Sequence, residues 1–202
     1  MGTSSGPPDT FAVSGLRGTL SQQEIDGALR PKLRGMLGCI QQRRDDLEAL
    51  AGGVTLAFHV ATDGRVVSVH PSESSLGDRE TERCIVGIAQ ATRFPPPHGG
   101  EADFSWPLEV DPDAEVRAPV ALEPDRAATV VRSRAAALLA DCGGGQFVVT
   151  MYVRPDGSVA AAGAAAPDGA TDPQLDCVTA GLRAWTLASP GSYLGKLSVA
   201  LP

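Results

Sequence analysis

Residues 53–97 read GVTLAFHVATDGRVVSVHPSESSLGDRETERCIVGIAQATRFPPP. Val54, Leu56, Phe58 and Val60 alternate with smaller or polar residues, the period of a half-buried strand. Thr62-Asp63-Gly64 is a turn, since Asp-Gly fits a hairpin loop that needs positive φ. A second strand, residues 65–69, runs into a polar loop at 70–77. Asp78 then stands as N-cap of a helix over 79–92 whose apolar face is Cys84, Ile85, Ile88 and Ala89. Phe94 and three prolines stop it.

The same plan returns later in the chain. Residues 52–108 lie without a gap over residues 145–201, at a constant offset of 93. Identical pairs include Val60/Val153, Asp63/Asp156, Gly64/Gly157, Cys84/Cys177 and Pro97/Pro190. They fall at turns, a cysteine and core-type positions, where a shared fold demands particular residues. The reading is one small α+β unit, duplicated.

Outside this block, Ser21-Gln-Gln-Glu24 is a capping box. Behind it Ile25, Leu29, Leu33, Met36, Leu37 and Ile40 share one helical face. Pro31 interrupts that helix, so a kink or two pieces is expected. Residues 102–108 alternate Phe104, Trp106 and Leu108 as a third strand, with Pro107 pointing to an edge position. In the second unit Asp125 is read as the first helix's cap, and Val130, Val131, Ala135, Leu138, Leu139 and Cys142 share a face. Asp172-Pro173 is read as N-cap and N1 of the second helix. The last strand is residues 195–201. From first cysteine to turn aspartate is 24 residues in the first unit and 14 in the second, so ten are missing. The expected architecture is a leader (1–19), a first unit (20–110), an acidic Pro-rich linker (111–124) and a second unit (125–202). Each unit runs helix–strand–strand–helix–strand, with a three-stranded antiparallel sheet whose third strand lies at an edge. The leader is expected to be flexible, with Phe11-Ala-Val13 placed to pair or pack locally.

Composition narrows the function. The chain has 202 residues and a net charge of −7, divided −4 over residues 1–110 and −3 over 111–202. No basic run marks a nucleic-acid or anionic-membrane partner. No apolar run reaches bilayer length, and residues 1–10 show neither the basic nor the apolar part of a signal peptide. Aromatics are 4% of residues, so the cores are aliphatic and small, and a covalent staple would help them. The four cysteines fall two per unit, Cys39 with Cys84 and Cys142 with Cys177. They are either one disulfide in each unit, which implies an oxidising compartment, or four buried thiols. Recurrence of both members at equivalent places favours the bonds. Each would close a loop of 36–46 residues and contribute roughly 3–4 kcal/mol.

Several motifs resemble a known family: Gly18-Thr-Leu20-Ser21 ahead of the first helix, Asp63-Gly64-x-Val66, Ser74-Ser75-Leu76-Gly77, Glu82-Arg-Cys84-Ile85 and Arg93-Phe94-Pro95-x-Pro97. In this order they resemble the AgmX/PglI C-terminal domain, a TonB-like domain found largely in myxobacteria. The likeness covers about residues 15–110, and the second unit is similar to a degenerate copy. It implies a periplasmic cell-envelope module, in a setting that includes gliding motility or transport, and a disulfide Cys39–Cys84 pinning the first helix to the second. The sequence departs from the family at Ile40, where an aromatic commonly follows the cysteine, and at Pro31. It shows no span to couple to a proton-driven motor.

TonB-like domains accept an extended partner along a sheet edge. The candidate partner-binding residues are therefore Phe104, Trp106 and Leu108 on one edge strand and Leu197, Val199 and Leu201 on the other. Trp106 and Trp185 read first as core fillers in so aromatic-poor a chain, with interface anchors as the other reading. His59 reads as a half-exposed strand residue, Ser74 and Ser75 as loop caps, and residues 143–145 as a helix stop without the lysine of a phosphate loop. No constellation supports an enzyme, a metal site or a cofactor. The expected function is docking of other envelope proteins through sheet edges. The alternative is a structural subunit that self-associates edge to edge.

Overall fold

The computed structural model describes residues 17–201. The chain is α+β, with helices packed on two four-stranded mixed sheets. In the first unit, helix α1 (Gln22–Leu29) passes through a 3-10 turn (Arg30–Lys32) into helix α2 (Leu33–Arg44). The break stands at Pro31, as the missing N–H requires. Ser21 and Glu24 close the expected capping box at the start of α1. Strand β2 (Gly52–Val60) pairs antiparallel with β3 (Val66–Ser74) and β4 (Glu101–Val110), and helix α3 (Arg79–Gln90) joins the last two. Asp78 caps α3 by accepting the Thr81 amide.

One sheet face is the core. Leu56 lies opposite Trp106 and Phe58 opposite Phe104, all on the side that α2 and α3 cover. Phe58 stacks on Phe104 at 4.9 Å between centroids, and Phe94 stands edge-on to both. The Phe94 amide donates to the Gly64 carbonyl at 2.9 Å, fixing the helix exit onto the hairpin turn. Gly64 has φ +82°, a conformation open to glycine at little cost.

The second unit repeats this with helix α4 (Ala128–Asp141), strands β6 (Phe147–Val153) and β7 (Val159–Ala165), helix α5 (Asp172–Arg183) and strand β8 (Gly195–Leu201). The turn glycine is Gly157, φ +84°, and its carbonyl accepts the Leu187 amide at 2.9 Å. Those two residues stand 93 positions after Gly64 and Phe94, so the duplication extends to single hydrogen bonds.

Several expectations are corrected. Each antiparallel trio gains a fourth, parallel strand: β1 (Arg17–Gly18) beside β4 and β5 (Val120–Ala121) beside β8. Residues 17–19 are therefore paired rather than part of a loose leader, while Phe11-Ala-Val13 lies outside the described residues. The 111–124 connection likewise contributes β5 to the second sheet. Strand β3 runs on to Ser74 through the segment read as loop. A register shift opposite Thr55/Leu56 breaks its alternation, and Pro71 sits where its sheet needs no further donor, on the outer edge. Asp125 lies in a 3-10 turn (Pro124–Ala127) and caps nothing; helix α4 starts without a side-chain cap. Thr171, not Asp172, is the N-cap of α5, because its hydroxyl and Gln174 form a reciprocal capping box and push Asp172 and Pro173 into the first turn.

Candidate functional site

Strand β1 meets β4 only at Glu101 and Ala102, and β5 meets β8 only at Gly195 and Lys196. Beyond those points, residues 103–110 of β4 and 197–201 of β8 have, among the described residues, no strand on the side away from β2 and β6. These are the two free edges. The six side chains expected to meet a partner turn the other way. Trp106, Leu108, Leu197 and Leu201 are buried, and Phe104 and Val199 are half-buried against the same cores. Trp185 is buried as well. What an added strand would find on β4 is backbone, flanked on the open sheet face by Asp103, Ser105, Pro107 and Glu109, all exposed. His59 joins that face: its Nδ1 lies 2.7 Å from Asp103 Oδ1 and its Nε2 3.3 Å from Glu101 Oε2.

Cys39 bonds Cys84 and Cys142 bonds Cys177, tying the first helix of each unit to its second. These bonds fit a chain that folds in an oxidising, periplasmic or extracellular setting. Among the described residues no helix is long and apolar enough to cross a membrane.

The most perturbed groups lie between the units. The outer face of the second sheet, with Thr150, Tyr152, Ala161 and Gly163 buried, rests on the first unit's α3 start and on residues 49–52. Strands β3 and β7 meet at their edges, where the Ala166 amide donates to the Pro71 carbonyl at 3.0 Å. Glu82 on α3 is fully buried. Ser74 Oγ donates to its Oε1 at 2.6 Å, and the Ala164 amide of β7 donates to its Oε2 at 3.2 Å. Burial pushes the Glu82 carboxyl up to about 7, against the pull of those two donors. Arg79, 8% exposed in its side chain, spans to the second unit through Nη2 to Asp172 Oδ1 (2.7 Å) and Nε to Asp176 Oδ1 (2.8 Å). Arg83 Nη1 reaches Asp176 Oδ2 at 3.3 Å. Tyr152, its hydroxyl among the Ala49 and Ala51 carbonyls, is pushed up to about 12 by burial. Lys196 donates to the Ala51 carbonyl at 2.6 Å, and burial brings its amine down to about 8.

Ser74, Glu82 and Asp172 were named from the sequence as a loop cap, part of a motif and an N-cap, but no seam residue was read as a contact between the units. One signal was available: Arg79/Asp172 and Arg83/Asp176 stand at the repeat offset of 93 with opposite charge. A second was the Ala/Gly-rich β7, VAAAGAA, small on both faces and suited to close approach.

No family model, curated protein sequence or solved structure matches the chain.

Proposed function

We propose that this chain is a non-enzymatic, tandem TonB-like module of the AgmX/PglI kind, working in the periplasm as part of a cell-envelope assembly related to motility or transport. It docks a partner by taking an extended segment along a sheet edge. The observation that carries this reading is the free backbone of β4 from Asp103 to Val110, next to a short strand, β1, that already adds to that edge at Glu101–Ala102. A sheet edge with unpaired donors and acceptors is a template for one more strand. The free stretch of β8 offers a second template. The two disulfides support the periplasmic side of the proposal.

Self-association as a structural subunit is the second reading. The Ala166–Pro71 bond favours it, since an edge of one unit already closes on an edge of its duplicate.

A photo-crosslinking side chain at Ser105 or Ala200, with a control on the exposed face of α4 at Arg134, separates the two. Adducts from the edge positions alone, mapping to one extended segment of an envelope protein, support docking. Adducts to a second copy of this chain support the structural subunit. Adducts equal to those of the control refute edge binding.

A further inference from the structure

A cavity of about 260 Å³ lies where the first unit, the inter-unit connection and β8 come together. Ala49, Ala51 and Gly52 form one wall, and Val116, Ala118 and Pro119 form the other. Lys196 enters from β8, and Arg117 also lines the cavity. This is slightly below the roughly 300–1,000 Å³ of ordinary ligand pockets, and junctions between domains are common places for such pockets.

Its chemistry is unequal. Lys196 Nζ lies 5.0 Å from the centroid of the buried Tyr152 ring and donates one hydrogen bond, to the Ala51 carbonyl. An ammonium carries three donors. Among the described residues no carboxylate stands within ion-pair distance of it, and burial is the cause acting on its amine. A half-buried cation without a counter-charge is costly, and an anion entering the cavity would relieve that cost. Asp113 is the acidic group in the wall. Its Oδ1 accepts the Glu115 amide at 2.9 Å, which holds it to its own turn. Its charge still disfavours a dianion. The Arg117 guanidinium, 4.4 Å over the Tyr193 ring, adds positive charge at the rim. The apolar walls suit a short hydrocarbon group.

We propose that this cavity binds a small carboxylate, its oxygens held by Lys196 Nζ with Arg117 at the rim and its apolar group against the Ala–Val–Pro wall. A free short-chain acid and the terminal carboxylate of a polypeptide share this chemistry. The site is separate from the sheet edges and does not depend on their role.

The test uses the whole, disulfide-intact chain in amide NMR titrations at neutral pH. The probes are butyrate, N-acetylalanine and N-acetylalanine amide. The expected result is saturable shifts centred on the amides of Ala51, Gly52, Ala118 and Lys196 with at least one acid, and none with the amide. Response to N-acetylalanine alone identifies a chain terminus; equal response to butyrate identifies any short acid. Lys196→Met is expected to weaken binding about tenfold or more, the loss of a charge-assisted hydrogen bond. Equal shifts with acid and amide, or none with either acid, overturn the proposal on the native chain alone, whether or not the variant folds. Unchanged acid binding in a folded Lys196→Met protein overturns it too.

Discussion

Replacing Glu82 with Gln is expected to remove the loss of stability that rising pH causes at the seam. Glu82 is fully buried between α3 and β7, and its carboxyl is raised from 4.5 to about 7 by burial. A group whose folded pKa is raised contributes stability that is fully present below its unfolded pKa. That contribution is withdrawn as pH rises through the folded value, here from about 4.5 to about 7. The span corresponds to on the order of 3 kcal/mol. Gln keeps the shape and an acceptor oxygen for the Ser74 hydroxyl or the Ala164 amide, and it does not ionise. The exposed carboxylates, including Asp63 and Asp156 with their lowered pKa values, titrate in both proteins and cancel in the difference. The assay is urea unfolding of wild type and Glu82→Gln at about pH 5 and about pH 8.5. Fluorescence of the buried Trp106 and Trp185 reports one tryptophan per unit. The Gln protein should gain about 2–3 kcal/mol on wild type between the two conditions. A flat difference, or a gain for Glu at high pH, would refute the reasoning. It would mean that Ser74, the Ala164 amide and Arg79 stabilise the charged form at least as much as burial penalises it.

Three further outcomes follow from single features. The double variant Cys142→Ala/Cys177→Ala should lose roughly 3–4 kcal/mol in non-reducing urea unfolding, because it frees a loop with a sequence separation of 35. A loss below about 1 kcal/mol would contradict the chain-entropy argument. Gly77 has φ +78°, and a Cβ there would meet Thr150 Cγ2 at 2.9 Å and Tyr152 Cε2 at 3.1 Å. Gly77→Ala should therefore cost more than Gly99→Ala, which has φ +88° and open space around it, by roughly 1–3 kcal/mol. Equal costs would show that the seam at Gly77 yields freely. Arg79→Met should destabilise the chain by about 1–3 kcal/mol, and most of that should vanish on raising salt if only surface charge were involved. Persistence of the loss at high salt is the expected result for a guanidinium this buried.

Much of the fold was legible because each unit's landmarks are local. The Asp-Gly turns, the capping box at Ser21, the cap at Asp78 and the break at Pro31 each follow from a few neighbouring residues. The alternation of Val54, Leu56, Phe58 and Val60 fixed which face of β2 is the core. What was not legible depends on distant chain. Strands β1 and β5 are two residues long and carry no periodic pattern. The second half of β3 is hidden by a register shift, and its Pro71 reads as a loop residue until an outer edge is known to exist there. Thr171 outcompetes Asp172 as a cap because Gln174 completes its box, a three-residue spacing that Asp172 lacks. The edge strands were found, but the apolar residues that located them are the ones that face inward. The alternation that reveals a strand marks its core face, so it points away from the face and edge a partner would meet.

The seam joins positions at which the two halves differ in charge, length and side-chain size. Arg79 pairs with Asp172 and Arg83 with Asp176, positions that correspond under the repeat. In a pair of identical units packed this way, arginine would face arginine, and that juxtaposition would repel. Within one chain the two copies can carry opposite charges, so the contact selects its covalent partner over another first or second unit. The ten residues present only in the first unit act in the same direction. They are shared between the last turn of α2, which runs on past Cys39 to Arg44, and the connection to β2, which ends in Ala49 and Ala51, whose carbonyls receive Tyr152 and Lys196 from the second unit. The second unit, without them, has no equivalent seat to offer. Its sheet has instead become small on the outer face, with Ala161 and Gly163 where the first unit has Ser68 and His70. Charge, insertion and side-chain size thus all make the packing one-directional: the second sheet is covered by the first unit, and the outer face and β4 edge of the first sheet stay open.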